Sequence, residues 1–147
     1  MRRIAKQLAT LGTSAIRGLA GGGCDQRDNN NNNNPDTGLT QADITCDAGA
    51  CSVPAGDYVD NINWAKDNVY TLEGKVFIGD GTAAGAVTLN IEAGTRIEAN
   101  ANAKAYVAIK PFSKIEAVGT AVEPIVFTSD LDTKSRGDWG GIIISGT

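Results

Sequence analysis

Ile91-Glu92-Ala93-Gly94-Thr95-Arg96-Ile97-Glu98-Ala99 and Ile109-Lys110-Pro111-Phe112-Ser113-Lys114-Ile115-Glu116-Ala117 are one nine-residue phrase written twice, 18 residues apart. Ile meets Ile at two positions, Glu and Ala meet themselves, Thr meets Ser and Arg meets Lys. A repeat shorter than about 20 residues is too small for a helix pair or a propeller blade, but it suits a coil of a strand solenoid. Around it the apolar residues alternate with polar ones, as in Thr88-Leu89-Asn90-Ile91-Glu92. Period-two alternation sends every second side chain inward.

Working outward, Leu89 and Ile91 are matched 18 residues later by Val107 and Ile109, and after 18 more by Ile125 and Phe127. Ile142 and Ile144 follow 17 residues on, and Tyr70 with Leu72 precede the series at a similar interval. Turn chemistry lies between: Ala93-Gly94, Gly119-Thr120 and Gly79-Asp80-Gly81-Thr82. A coil of about 18 residues with two strands is expected, stacked in parallel at about 4.8 Å per coil. On that register Arg96 lies over Lys114, Glu98 over Glu116, and Ile109 between Ile91 and Phe127. The expected fold is all-β, a right-handed parallel β-helix. A β-sandwich is the alternative, since it also has regular short strands.

The rest of the composition bounds the possibilities. The chain has 147 residues, room for one modest domain with attachments, and its 18 Gly favour strands and turns. The net charge is −4, and the only charges before Cys24 are Arg2, Arg3, Lys6 and Arg17. Without them nine basic residues face 17 acidic ones, a poor match to nucleic acid, so no nucleic-acid partner is expected. There is no His, which removes the commonest general base and metal ligand. No cofactor and no metal are expected.

The N-terminus runs basic (Arg2, Arg3, Lys6), then mildly apolar from Leu8 to Ala20, then small (Gly21-Gly22-Gly23), then Cys24. That order resembles a bacterial lipoprotein export signal over 1–23, too short to be a permanent span, with Cys24 as the lipid attachment. Gly21 replaces the usual Leu and Arg17 interrupts the apolar stretch. Residues 24–40, with six consecutive Asn at 29–34, read as a flexible tether, because from Asp28 to Gly38 no apolar side chain offsets the entropy of ordering. The expected address is the bacterial cell envelope, membrane-anchored on the periplasmic or outer side, with secretion as the alternative. Cys46 and Cys51, with four residues between them, are expected to close a local disulfide in a cap over 41–63, with Ile62 as an apolar anchor. The coils are expected over 64–147, opening at Trp64.

Two phrases are more specific: Gly119-Thr120-Ala121-Val122-Glu123-Pro124-Ile125-Val126-Phe127-Thr128-Ser129, and Arg136-Gly137-Asp138-Trp139-Gly140-Gly141-Ile142-Ile143-Ile144. With them the chain resembles bacterial exported β-helix proteins, often lipoproteins or surface-sorted. Family members continue with more coils, so the resemblance implies an N-terminal fragment. Phe112 stands where the family usually has a small Gly.

Chemistry is sparse. Asp130, Asp132, Arg136 and Asp138 form the one acid-rich constellation of the body, a candidate ligand loop between strands. Some β-helix enzymes cut acidic polysaccharides with carboxylates, calcium and a basic residue, which permits an enzyme reading by analogy. Ser113, Ser129 and Ser145 have no His to activate them, so no catalytic residue is assigned. The expected function is a non-enzymatic envelope scaffold for binding or adhesion, with membrane contact through the lipid and polysaccharide or a surface protein as partner. The alternative is the N-terminal part of a polysaccharide-active enzyme.

Overall fold

A computed structural model describes residues 38–146. Cys24, the 1–23 signal and nearly all of the 24–40 tether lie outside the described residues. Twelve strands of three or four residues follow a single 3-10 turn at Gln41–Asp43. They are β1 (Thr45–Asp47), β2 (Ala50–Val53), β3 (Gly56–Tyr58), β4 (Ile62–Trp64), β5 (Val69–Leu72), β6 (Lys75–Ile78), β7 (Thr88–Ile91), β8 (Arg96–Ala99), β9 (Tyr106–Ile109), β10 (Lys114–Ala117), β11 (Val126–Ser129) and β12 (Gly141–Ile144). Three sheets result: sheet I is β1-β2-β5-β8-β11, sheet II is β3-β6-β9-β12, and sheet III is β4-β7-β10. Every pairing is parallel except that of β1 with β2. The chain visits sheets I, II and III in turn and then steps up one rung, which is a parallel β-helix and rules out the sandwich.

The register corrects the expected coil. Tyr70 pairs with Ile97 and Ile62 with Leu89, each 27 residues on, and a hydrogen bond from Asn90 Nδ2 to Asn63 Oδ1 spans the same 27. The nine-residue phrase is one strand with its turn, and three such units close a coil. The 18-residue repeat therefore marks two thirds of a turn, relating β7 to β9 and β8 to β10, which sit in different sheets. Each strand–turn unit buries the same kind of face, so the phrase recurs wherever the chain turns a corner.

The expected neighbours change accordingly. Ile109 lies between Ile78 and Ile144, not between Ile91 and Phe127. Arg96 lies between Val69 and Val126, and Glu98 between Thr71 and Thr128, so the feared stacks of like charge do not form. The coils also begin before Trp64. Strands β2, β3 and β4 pair in parallel with β5, β6 and β7, so the segment expected as a cap supplies the first rung.

Inward side chains make continuous columns: Cys51–Tyr70–Ile97–Phe127 in sheet I, Tyr58–Ile78–Ile109–Ile144 in sheet II, Ile62–Leu89–Ile115 in sheet III. Val53, Leu72, Ile78, Leu89, Ile97 and Ile109 are fully buried, and each such aliphatic contributes about 1.5–3 kcal/mol. Trp64 stacks on Tyr70 with centroids 5.2 Å apart. At the lower end, Leu39 bridges to Tyr58, Gln41 Oε1 accepts from Asn63 N at 2.8 Å, and β1 covers the edge of β2. The Cys46–Cys51 disulfide joins directly opposed residues of β1 and β2.

Candidate functional site

Outward positions give each side of the prism its own chemistry. Sheet I presents Ser52, Thr71, Glu98 and Thr128 in one column, with Arg96 Nε bonded to Glu98 Oε1 at 2.8 Å. Sheet III presents Asn63, Asn90 and Glu116, the two amides hydrogen-bonded to each other. Sheet III is polar, as a solvated strand face should be, and sheet I adds an aliphatic outward column, Ala50–Val69–Arg96–Val126, that carries no aromatic ring.

Sheet II departs from that rule. One outward column reads Asp57–Phe77–Ala108–Ile143 and the next Lys75–Tyr106–Gly141. The Phe77 and Tyr106 rings meet edge to face, centroids 5.7 Å apart. Lys75 Nζ sits 5.9 Å from the Tyr106 centroid, and Lys110 Nζ sits 5.3 Å from that of Phe77 while bonding to Asp57. Aromatic faces hold ammonium groups by their quadrupole, so the two lysines are positioned before any ligand arrives. Gly140 lets the chain cross this column closely: a Cβ there would lie 2.9 Å from Tyr106 Cβ. Ile143 is 49% exposed. The signal was present in the sequence, because Val76-Phe77-Ile78 and Tyr106-Val107-Ala108-Ile109 are apolar on both faces where other strands alternate.

The acid-rich loop after β11 is held by its own hydrogen bonds. Asp130 Oδ1 accepts from Ala101 N at 2.9 Å, clipping the loop to the rung below. Asp138 Oδ2 accepts from Ser129 Oγ at 3.1 Å and from Ser135 N at 2.6 Å. Lys134 Nζ donates to the carbonyls of Ser129 and Leu131, and Lys104 Nζ to that of Gly137. Asp132 and Arg136 are exposed. Two of the four side chains thus shape the loop and two face solvent. Trp139 stacks on Phe127 at 6.2 Å. Among the described residues no three His, Cys, Asp or Glu side chains gather as metal ligands.

The exposed Lys66 ammonium is raised by its hydrogen bond and charge contact with Glu123, 3.2 Å away. Burial, reinforced by the Asp43 charge, pushes the Tyr58 phenol well above the usual tyrosine range, and its Oη donates to Pro54 O at 3.0 Å. The backbone and hydroxyl of Thr82 hold the Asp80 carboxyl below its ordinary value.

One turn beside sheet II is conformationally unusual. Ser113 N donates to Lys110 O, as Thr95 N does to Glu92 O in the earlier copy of the phrase. The third residue of each turn has a positive φ, 86° at Gly94 and 68° at Phe112. A left-handed backbone costs a bulky residue about 1–2 kcal/mol, which is why such turns take Gly. Phe112 is 48% exposed.

Residues 56–147 match the family model described as a pectate-lyase-like β-helix domain. No curated protein and no solved structure matches the chain. The matched segment takes in everything from β3 onward, the same rungs whose three sheets wind in parallel. On that match and that winding, the chain belongs to the pectate-lyase-like β-helix domain family.

Proposed function

We propose that the protein is a non-enzymatic cell-envelope lipoprotein, anchored through Cys24, whose β-helix is a rigid scaffold presenting sheet II as its binding face. One observation carries this reading: among the described strands sheet II alone turns aromatic rings outward, with Lys75 and Lys110 held over them. Sugars and protein surfaces both use exposed rings flanked by fixed charges, so polysaccharide or a surface protein is the partner. No nucleic-acid partner and no cofactor belong to this reading.

Affinity electrophoresis of the full chain in gels containing polygalacturonate tests the face. Retardation should fall when Tyr106→Ala removes the central ring and persist in Thr71→Ala on sheet I; equal behaviour of the two variants sinks the assignment. Labelling cells with a fatty-acid analogue tests the anchor: the label must appear on the wild type and vanish in Cys24→Ala.

A second reading, a polysaccharide-active enzyme, draws support from the family description and from the loop bearing Asp130, Asp132, Arg136 and Asp138. It requires that the chain depolymerise an acidic polysaccharide and that Asp138→Asn abolish this without unfolding the loop.

A further inference from the structure

The two lysines of sheet II are not equivalent. Lys110 follows β9 on the third rung, and its side chain runs down over the Phe77 ring of the second rung to bond Asp57 on the first. Asp80, whose carboxyl is held mainly by Thr82, also feels the Lys110 charge. Lys110 is therefore neutralised within the fold. Lys75 is exposed over the Tyr106 ring, and no described carboxylate comes within ion-pair distance of it. Sheet II thus offers one open ammonium and one closed.

The rest of the face carries no charge. Tyr106, Ala108, Gly141 and Ile143 form its upper part, and Ala108 is almost fully covered although it points outward. An acid group laid on this apolar floor would lose water without gaining a partner, which costs free energy. At the lower edge it would meet the Asp57 carboxylate, whose side chain is 53% exposed. A like charge built into a binding face discriminates against ligands that bring more of that charge. The chain as a whole adds to this, since nine basic residues face 17 acidic ones from Asp25 onward. A polymer with an acid group on every unit therefore fits poorly. One with occasional acid groups meets Lys75 at one place and the apolar floor elsewhere.

We propose that Asp57 is a specificity residue of sheet II. By holding Lys110 closed it leaves Lys75 as the single anion-accepting point, so the face takes a polysaccharide whose acid groups are spaced among uncharged units. The proposal rests on the reading of sheet II as the binding face. Affinity electrophoresis of the full chain, each retardation taken relative to a polymer-free gel, compares polygalacturonate with the same polymer after most of its carboxylates are methyl-esterified. The esterified polymer should retard the wild type more. Asp57→Asn should tighten binding to polygalacturonate about three- to fivefold, the factor a partly exposed ion pair is worth, and change binding to the esterified polymer by less than about twofold. Asp57→Ser should act alike, which ties the effect to the lost charge and not to a local distortion. Lys75→Gln should weaken retardation by both polymers. A wild type that prefers polygalacturonate, an Asp57→Asn variant that keeps the wild-type ratio, or a Lys75→Gln variant that binds as before overturns the proposal while Tyr106→Ala still weakens binding. Failure of the binding-face reading shows separately: retardation is then absent or indifferent to Tyr106→Ala, and the proposal falls with it.

Discussion

Phe112 and Gly94 occupy equivalent turns, and their difference isolates a backbone effect. Replacing Phe112 by Gly and by Ala removes the same ring contacts, but only Gly is at ease with a positive φ. Phe112→Gly should be more stable than Phe112→Ala by about 1 kcal/mol in urea unfolding, the reverse of the usual order in a strand or helix. Tyr58 sets an alkaline limit. Its phenol is raised in the folded protein, so below the ordinary value of 10.0 both states keep the proton. Above that value the unfolded chain ionises first, and stability drains away as pH climbs toward the folded value. The urea midpoint should decline as pH rises above about 10, and Tyr58→Phe should flatten that limb. Asp80 runs the other way. Its lowered carboxyl contributes stability present above the ordinary 3.8 and lost as pH falls below it.

Among elements, position in the stack decides what a side chain is worth. Ile97 in β8 has Tyr70 below and Phe127 above and is fully buried. Ile144 in β12 has the same inward register but is 64% exposed, since only Ile109 lies against it in the ladder. Ile97→Ala should cost about 2–4 kcal/mol, and Ile144→Ala less than about 1 kcal/mol, by chemical denaturation. The β1–β2 hairpin depends on its crosslink, because β1 buries none of its three side chains. Closing a six-residue loop is worth about 2 kcal/mol by chain entropy, so a reductant should lower the urea midpoint by that equivalent, and Cys46→Ser with Cys51→Ser should remove the response.

For the whole molecule, neighbour-to-neighbour stacking predicts a graded stability. Strands β5 to β9 are paired on both sides, whereas β1 and β12 have a partner on one. Amide exchange should be slowest in β5–β9 and fastest in β1 and β12. Uniform exchange across the rungs would mean that the coils unfold as a single cooperative block. The three sides of the prism also divide labour. Sheets I and III present no ring outward, and sheet II concentrates rings and ammonium groups from strands 27 or more residues apart in the chain.

The fold class was legible in the chain because inward and outward positions alternate with period two wherever a strand forms. Cys46 and Cys51 were likewise legible as a pair, since so few residues separate them. The length of a coil was not. A strand with its turn looks alike on every side of the prism, so an 18-residue match records the shared chemistry of corners and says nothing of how many corners close a turn. Only the pairing of Tyr70 with Ile97 and of Ile62 with Leu89 sets the coil at three strands. Strands apolar on both faces could be read one at a time, but their meeting could not, because Phe77, Tyr106 and Ile143 become neighbours only through the lateral register of parallel strands. Local periodicity determines which side chains point in, and the closure of the coil decides which of those pointing out stand together.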